Sequence, residues 1–166
     1  MSASDSPFSP IHMSPDLPSA RLRPLFTLEL NISAVLRVGS AAAGLVIGVV
    51  GGGSFEGRVS GNVLAGGADW QRIQPDGSLR LDCRIILETS MKQLVAMTYR
   101  GIRAGTPDVL ARLASGQAVT ADEYYLRVQA SFETGASELA WLNRIVCVGT
   151  GMRHPTGPIY NLFELL

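Results

Sequence analysis

Carboxylate and phenol side chains stand inside apolar, strand-like segments of this chain, where they could move protons. Asp69 precedes Trp70 directly after a Gly-Gly turn, Tyr99 lies in a β-branched and aromatic segment, and Glu133 ends another such segment. Desolvation beside a large apolar wall raises the pKa of a carboxyl group and suits it to general acid–base work. A phenol can donate a hydrogen bond to a developing enolate. We therefore predict that Asp69, Tyr99 and Glu133 are catalytic.

Aromatic, amide and acidic side chains near these groups could bind a small, flat ligand with a polar head. Trp141 and Asn143 are two residues apart, so on a strand they would share one face and lie near Glu133 across a hairpin. Asp82 shares a strand face with Arg84, and of the adjacent tyrosines at 124 and 125 only one can face inward. The predicted substrate-binding residues are Trp70, Asp82, Tyr125, Trp141 and Asn143.

Each of these residues also has a purely structural interpretation. Asp69 can close its turn through an Asx-type hydrogen bond, and Asp82 can face solvent while its apolar neighbours fill the interior. The tyrosines can pack with their hydroxyl groups at the surface. Glu133 can pair with a nearby arginine, and Asn143 can satisfy a loop backbone. Which interpretation holds depends on which face of each strand points inward.

Hydrophobic residues alternate with polar ones along most of the chain, which is the period of a half-buried β-strand. The alternation predicts strands near residues 26–32, 41–50, 55–63, 69–74, 79–87, 93–103, 124–133, 140–149 and 159–165. Residues 106–116 instead carry a Thr N-cap, a Pro in the first turn and a terminal Gly, which predict a short helix. Gly and Pro turns, with glycines inside strands, favour a barrel over a sandwich. We predict an all-β fold, a closed or nearly closed antiparallel β-barrel of about eight to nine strands with one short helix covering a mouth or side.

The start of the chain differs in composition from the rest. Residues 1–22 are rich in Ser and Pro and show no periodic pattern, which predicts a disordered tail before a single barrel domain at 23–166. This segment lacks the basic start and continuous apolar core of a secretory signal. The apolar stretch 41–50 is about half as long as the ~20 residues of a spanning helix. We expect a cytoplasmic protein with no membrane contact.

Charge and composition narrow the expected partners. Fourteen basic and fourteen acidic residues give a net charge near zero with no long charged run, so we expect no nucleic-acid partner. Hydrophobic residues make up 46% and charged residues 17% of the chain, which favours a homodimer that covers apolar surface. Cys83 and Cys147 lie in apolar runs and are predicted to be buried free thiols. His12 and His154 fall in Pro-rich stretches, so we predict no metal site, and no nucleotide or cofactor motif is present.

Three short blocks stand at fixed places in the chain. They are Gly66-Gly67-Ala68-Asp69-Trp70, Asp122-Glu123-Tyr124-Tyr125-Leu126-Arg127, and Phe132-Glu133-Thr134-Gly135 followed by Trp141-Leu142-Asn143-Arg144. Together they resemble the DUF3237 family, also called UPF0311, over about residues 23–166. The resemblance implies a small antiparallel β-barrel. It implies no activity, because none is established for the family.

Three functions are compatible with these patterns. The first is a cofactor-independent enzyme that acts on a small molecule in the barrel cavity by acid–base chemistry, of isomerase, lyase or cyclase type. The second is a barrel that binds a hydrophobic or aromatic small molecule without catalysis, and the third is a structural oligomer. An enzyme requires a desolvated carboxylate near a phenol or amide in a pocket. A carrier requires a mainly apolar pocket, and a structural barrel requires none.

Overall fold

Nine antiparallel strands hydrogen-bond in a ring in the computed structural model, which describes residues 13–40 and 44–166. The elements in chain order are β1 (Leu22–Gly39), β2 (Gly44–Gly57), β3 (Gly61–Val63), β4 (Ala68–Ile73), β5 (Leu79–Thr89), β6 (Leu94–Ala104), α1 (Pro107–Ala114), β7 (Tyr125–Glu133), a 3-10 helix (Ser137–Arg144), β8 (Cys147–His154) and β9 (Gly157–Leu165). Around the ring the strands follow the order β1, β9, β8, β7, β6, β5. β3 and β4 share the place between β5 and β2, and β2 pairs with β1. The predicted antiparallel barrel is confirmed.

Alternate residues of each strand point into the barrel, and the register between strands identifies which ones. The odd-numbered residues of β5 are buried. Cys83 of β5 lies opposite Asp69 of β4 on one side and Tyr99 of β6 on the other. Tyr99 in turn lies opposite Ala130 of β7. Because residues that face each other across antiparallel strands point to the same side of the sheet, these four side chains belong to one interior layer.

Apolar side chains fill one end of the barrel. Phe26 packs against Phe55 at 5.3 Å and against Phe132 at 5.9 Å between ring centroids. Several fully buried aliphatic residues surround these rings, among them Leu87, Val95 and Leu142. This end of the barrel is therefore a packed core, and the interior cavity described below lies toward the other end. Both cysteines are buried and free, as predicted.

β2 runs straight through the three glycines at 51–53, where the sequence predicted the end of one strand and the start of another. That prediction is wrong because the glycines allow β1 to approach closely. Gly53 has a φ of +151°, and a Cβ atom there would lie 2.1 Å from the carbonyl oxygen of Glu29. The residue is thus kept free of a side chain by its neighbour strand and does not mark a turn.

The predicted helix forms as α1 and lies at the open end of the barrel. The Thr106 side chain accepts a hydrogen bond from the backbone N–H of Val109 at 3.4 Å, and Pro107 occupies the first turn. Val109 and Leu113 are buried against the barrel. The Arg153 guanidinium of β8 donates to the carbonyl oxygen of Leu113, which fixes the last turn of the helix to the barrel wall.

A 3-10 helix, Ser137–Arg144, replaces the first part of the strand predicted at 140–149. Leu139 and Leu142 are its buried residues. They are three residues apart, which is one full turn of a 3-10 helix, so both can pack inward on one side. The predicted strand begins only at Cys147, and Trp141 and Asn143 therefore do not share a strand face.

The chain before β1 is exposed from residue 13 to residue 21. The predicted disordered tail at 1–22 falls partly on residues 1–12, which lie outside the described residues, as do 41–43 at the start of the predicted strand 41–50. In the described ranges, 13–40 and 44–166, neither helix has the length and apolar character needed to cross a membrane.

Candidate functional site

A buried aspartate stands in the wall of a cavity at the open end of the barrel. Asp69 is only 2% exposed, because its place on β4 turns it inward toward Cys83. Its Oδ2 atom accepts a hydrogen bond from Gln71 Nε2 at 2.9 Å and a long one from the Tyr99 hydroxyl at 3.5 Å. Its buried Oδ1 atom has no hydrogen-bond partner of ordinary geometry among the described residues.

Burial governs the ionisation of this carboxyl group. Desolvation raises the pKa of Asp69 to about 6, against the opposing effects of the hydrogen bonds and of the positive charge of Arg103. A carboxyl group with such a pKa can both take up and release a proton near neutral pH. Asp69 is therefore suited to general acid–base work, as its predicted role requires.

Two phenols and a thiol complete the layer around Asp69. The rings of Tyr99 and Tyr160 pack with centroids 5.3 Å apart, and both tyrosines are 1% exposed. Burial raises the pKa of both phenols and of the Cys83 thiol, so all three groups stay neutral at physiological pH. These groups can donate hydrogen bonds, but Asp69 alone among them changes charge near neutrality. We call Asp69, Tyr99, Tyr160 and Cys83 the floor of the site.

The cavity above this floor, here named the mouth cavity, has a volume of about 530 Å³. Much of its wall is aliphatic, including Ile32, Val46, Leu79, Leu81, Leu110 and Leu126. α1 contributes to the wall through Leu110 and Ala114. The size and lining suit one small, largely apolar molecule.

Basic side chains line the outer level of the mouth cavity. Arg103, Arg153, Arg37 and His154 all reach it, and Asp69 is its one acidic lining residue within the described parts of the chain. Arg103 is four residues beyond Tyr99 on β6, so its Cα lies about 13 Å nearer the mouth at the usual rise per residue of a strand. We call these four basic residues the rim of the cavity. The mouth cavity thus has a floor that is neutral or carries one negative charge, and a rim of basic side chains.

Three of the predicted substrate-binding residues lie outside the barrel. Trp70, Asp82 and Tyr125 line a separate concave surface of about 990 Å³, here named the outer groove. Trp70 is 51% and Tyr125 52% exposed, because each neighbours an inward residue and so faces the opposite side. Asp82 pairs with Arg100 at 3.6 Å on the same outer face. These residues cannot contact a ligand held on Asp69.

The remaining predicted residues lie away from both places. Glu133 is exposed at the end of β7. Asn143 accepts from the Thr134 N–H and donates to the Thr134 carbonyl oxygen, both at 2.9 Å, which ties the 3-10 helix to β7. Trp141 stacks under the guanidinium of Arg58, 4.3 Å from its ring centroid. Of the eight predicted site residues, the structure brings Asp69 and Tyr99 together inside the barrel and Trp70, Asp82 and Tyr125 together in the outer groove.

Sequence reasoning missed several groups of the mouth cavity. Gln71 and Arg103 could have been found from period two alone, because they are in phase with Asp69 and Tyr99 on the same strands. Tyr160 could be placed only from the register of β9 against β1 and β8. His154, which the sequence places in a Pro-rich stretch, ends β8 at the cavity mouth, with its Nδ1 atom 3.3 Å from Thr156 Oγ1.

A metal site needs several His, Cys, Asp or Glu side chains close together. Within residues 13–40 and 44–166, no group of three or more His, Cys, Asp and Glu side chains is arranged to hold a metal ion. The groups that the mouth cavity offers among the described residues are proton carriers and cations: one aspartate, the phenol of Tyr160 and several basic side chains.

The fold and the site together define a small, closed antiparallel β-barrel with one ionisable cavity at its open end. Comparison with known sequences agrees with this class. The model of the family described as "Protein of unknown function (DUF3237)" matches residues 20–165. The chain belongs to this family.

Relatives of known sequence or structure are similar over nearly the whole chain. A UPF0311 protein of Rhodopseudomonas palustris is 30% identical over 151 residues, which is 90% of this chain and 99% of that protein. The crystal structure of a conserved protein of unknown function from the same organism matches this fold with a TM-score of 0.85, at 30% identity over 90% of this chain and 99% of that one. A β-barrel-like protein of Acinetobacter baumannii is 34% identical with a TM-score of 0.79, covering 92% of this chain and 100% of that one. A Penicillium herquei protein described as an enzyme shares the fold, at 18% identity and a TM-score of 0.69, over 93% of this chain and 100% of that one.

Proposed function

We propose that this protein is a cofactor-independent enzyme that uses Asp69 as general acid–base on a small molecule bound in the mouth cavity. The reaction is of isomerase, lyase or cyclase type, in which a proton leaves one atom of the substrate and another atom receives one. The observation that carries the proposal is the buried Asp69 carboxylate, with its Oδ1 atom unpartnered and a pKa of about 6.

The orientation of the carboxylate fits a role as proton acceptor. Gln71 and Tyr99 hold Oδ2, and the backbone N–H of Asp82 also interacts with the carboxylate. Oδ1 is buried without a hydrogen-bond partner of ordinary geometry and must turn toward the cavity to meet a substrate atom. A buried polar atom without a partner is unfavourable unless something else uses it. When Asp69 takes a proton from the carbon next to a carbonyl, the negative charge passes to the carbonyl oxygen. The neutral Tyr160 phenol, which lines the cavity, can then donate a hydrogen bond to that oxygen.

Proton abstraction can be tested without knowing the substrate. A panel of small ketones with exchangeable α-protons is incubated with the protein in D2O, and loss of the α-proton signal is followed by NMR. We expect exchange of at least one compound, slowed roughly 100-fold or more in Asp69→Asn. The wild-type rate should rise through about pH 6 and level off above it, since the carboxylate is the base.

Glu133→Gln is the matched control, because the sequence predicts a catalytic role for Glu133 and the structure leaves that side chain exposed and outside the cavity. We expect wild-type exchange rates in this variant. Wild-type rates in Asp69→Asn, or an equal loss in both variants, would contradict the proposed role of Asp69.

A carrier function is the second candidate, and the aliphatic wall of the mouth cavity favours it. A carrier would bind an apolar molecule and leave its protons unchanged in D2O, so the same NMR samples decide between the two functions. The third candidate, a structural oligomer, would use the outer groove, where Trp70 and Tyr125 are exposed. It predicts that Trp70→Lys dissociates the protein in sedimentation, while substitutions in the mouth cavity have no effect on any measured activity.

A further inference from the structure

Arg103 is a half-buried cation that forms no ion pair among the described residues. Its Nε atom is buried and has no hydrogen-bond partner, and the described residues place no carboxylate within ion-pair distance of its guanidinium. By contrast, Arg112 and Arg58, which lie on the outside of the barrel, form close ion pairs with Glu123 and Glu164. An inward cation left unpaired in this way is unfavourable unless an anion is supplied from elsewhere.

The surroundings of Arg103 add to the excess of positive charge at this place. Burial is the first cause that lowers the pKa of Arg103, and the positive charge of Arg153 is the second. Arg153 is itself held to the last turn of α1 by its bond to the carbonyl oxygen of Leu113, so it cannot move away freely. Arg37 and His154 add further basic character to the same rim. An anion between Arg103 and Arg153 would be attracted by both guanidinium groups and would relieve their mutual repulsion.

The floor and the rim are separated by apolar wall. The Cα atoms of Tyr99 and Arg103 lie about 13 Å apart along β6 by strand rise. Leu81 lines the space between the two levels, and Leu79 and Leu126 lie opposite Arg103 at the outer level. A molecule that reaches both must carry its anionic group at one end and its reacting carbon near the other, joined by an apolar body. The bidentate fork of a guanidinium matches the two oxygens of a carboxylate.

We propose that the ligand of the mouth cavity is an apolar carboxylic acid, bound as its anion by Arg103 with support from Arg153. The placement of the reacting end of the ligand at Asp69 rests on the proposed function. The anion site at Arg103 does not, and binding to it can be tested in the absence of any reaction. The carboxylate specifies the class of substrate, and Asp69 acts on the other end of the same molecule.

The test compares carboxylates with their neutral amides. Hexanoate, phenylpropionate and phenylbutyrate are each titrated against the protein by calorimetry at low ionic strength, beside hexanamide, phenylpropionamide and phenylbutyramide. We expect at least one acid to bind roughly tenfold or more tightly than its amide, because hydrogen bonds to charged groups are the stronger kind. Arg103→Gln should remove this preference by weakening the acid and leaving the amide unchanged, and Arg103→Lys should keep part of it.

Arg84→Gln is the control, since Arg84 faces outward on β5 and lines neither the mouth cavity nor the outer groove. The proposal is overturned if no acid in the panel binds more tightly than its amide, or if Arg84→Gln and Arg103→Gln weaken the acid equally. Asp69→Asn separates the two proposals. It should slow exchange roughly 100-fold or more and still bind the acid at least as tightly as wild type, because a negative charge has been removed from the cavity.

Discussion

The buried carboxylate of Asp69 makes a quantitative prediction about stability and pH. Its pKa lies at about 6 in the folded protein, against an ordinary value of 3.8. Between these two values the folded chain binds more protons than the unfolded chain, so the free energy of unfolding falls as the pH rises. The loss is absent below about pH 4 and complete above about pH 6. The difference between the two pKa values corresponds to about 3 kcal/mol.

Asp69→Asn removes this titration while keeping an oxygen that can accept the Gln71 hydrogen bond. We expect the variant to match the wild type at about pH 4 and to exceed its free energy of unfolding by about 3 kcal/mol at about pH 8. The measurement is urea unfolding followed by tryptophan fluorescence at a series of pH values. All other titrating groups are shared, so the difference between the two proteins isolates Asp69.

The sign of the difference decides whether the reasoning holds. A stabilisation that is the same at every pH would mean that Asp69 does not titrate in this range. If the free energy of unfolding of the wild type rises relative to that of the variant as the pH rises, the carboxylate is stabilised by a cation rather than destabilised by burial. Either result would refute the assignment of Asp69 as a desolvated acid–base group.

Three further predictions concern the scaffold around the site. Asn143→Ala removes two hydrogen bonds to the backbone of Thr134 and should lower the free energy of unfolding by about 1–2 kcal/mol, measured by urea titration. Gly53→Ala places a Cβ 2.1 Å from a carbonyl oxygen of β1, and we expect a loss of roughly 3 kcal/mol or more, seen as a lowered melting temperature. The ion pair with Arg112 lowers the pKa of Glu123 to about 2; NMR titration should find this value in the wild type and a higher one in Arg112→Gln.

The alternation of apolar and polar residues was enough to predict most strands and part of the site. It placed Asp69 and Tyr99 in strands, and both turn inward. It could not choose between inward and outward for Asp82, because either face of an isolated strand can be the buried one. That choice follows from the register across β4, β5 and β6, which depends on pairing between residues distant in sequence. The same long-range pairing set the direction of Trp70 and Tyr125.

The region after β7 was mispredicted for a local reason. Ala140, Leu142 and Ile145 to Cys147 contain enough apolar residues to suggest one continuous strand. The spacing of Leu139 and Leu142 by three residues favours a 3-10 turn. In so short a segment, this spacing is easily mistaken for the apolar–polar alternation of a strand with one residue out of place. The prediction of a carboxylate, indole and amide around one opening depended on this strand. Without it, Asn143 acts on the Thr134 backbone and Trp141 on Arg58.

The distribution of unsatisfied polar groups argues for function at the mouth cavity and against a purely structural role. Of the three buried side-chain atoms that lack a hydrogen-bond partner among the described residues, Asp82 Oδ1 belongs to the outer groove. The other two, Asp69 Oδ1 and Arg103 Nε, belong to residues that line the mouth cavity. The two groups carry opposite charges, yet they stay too far apart to form an ion pair with each other, although a chain selected only for stability would gain by pairing or replacing them. Each residue instead lines the mouth cavity, beside space that a ligand can fill. Unsatisfied groups of this kind collect where a protein gives up stability for chemistry, and here they mark the two ends of one binding site.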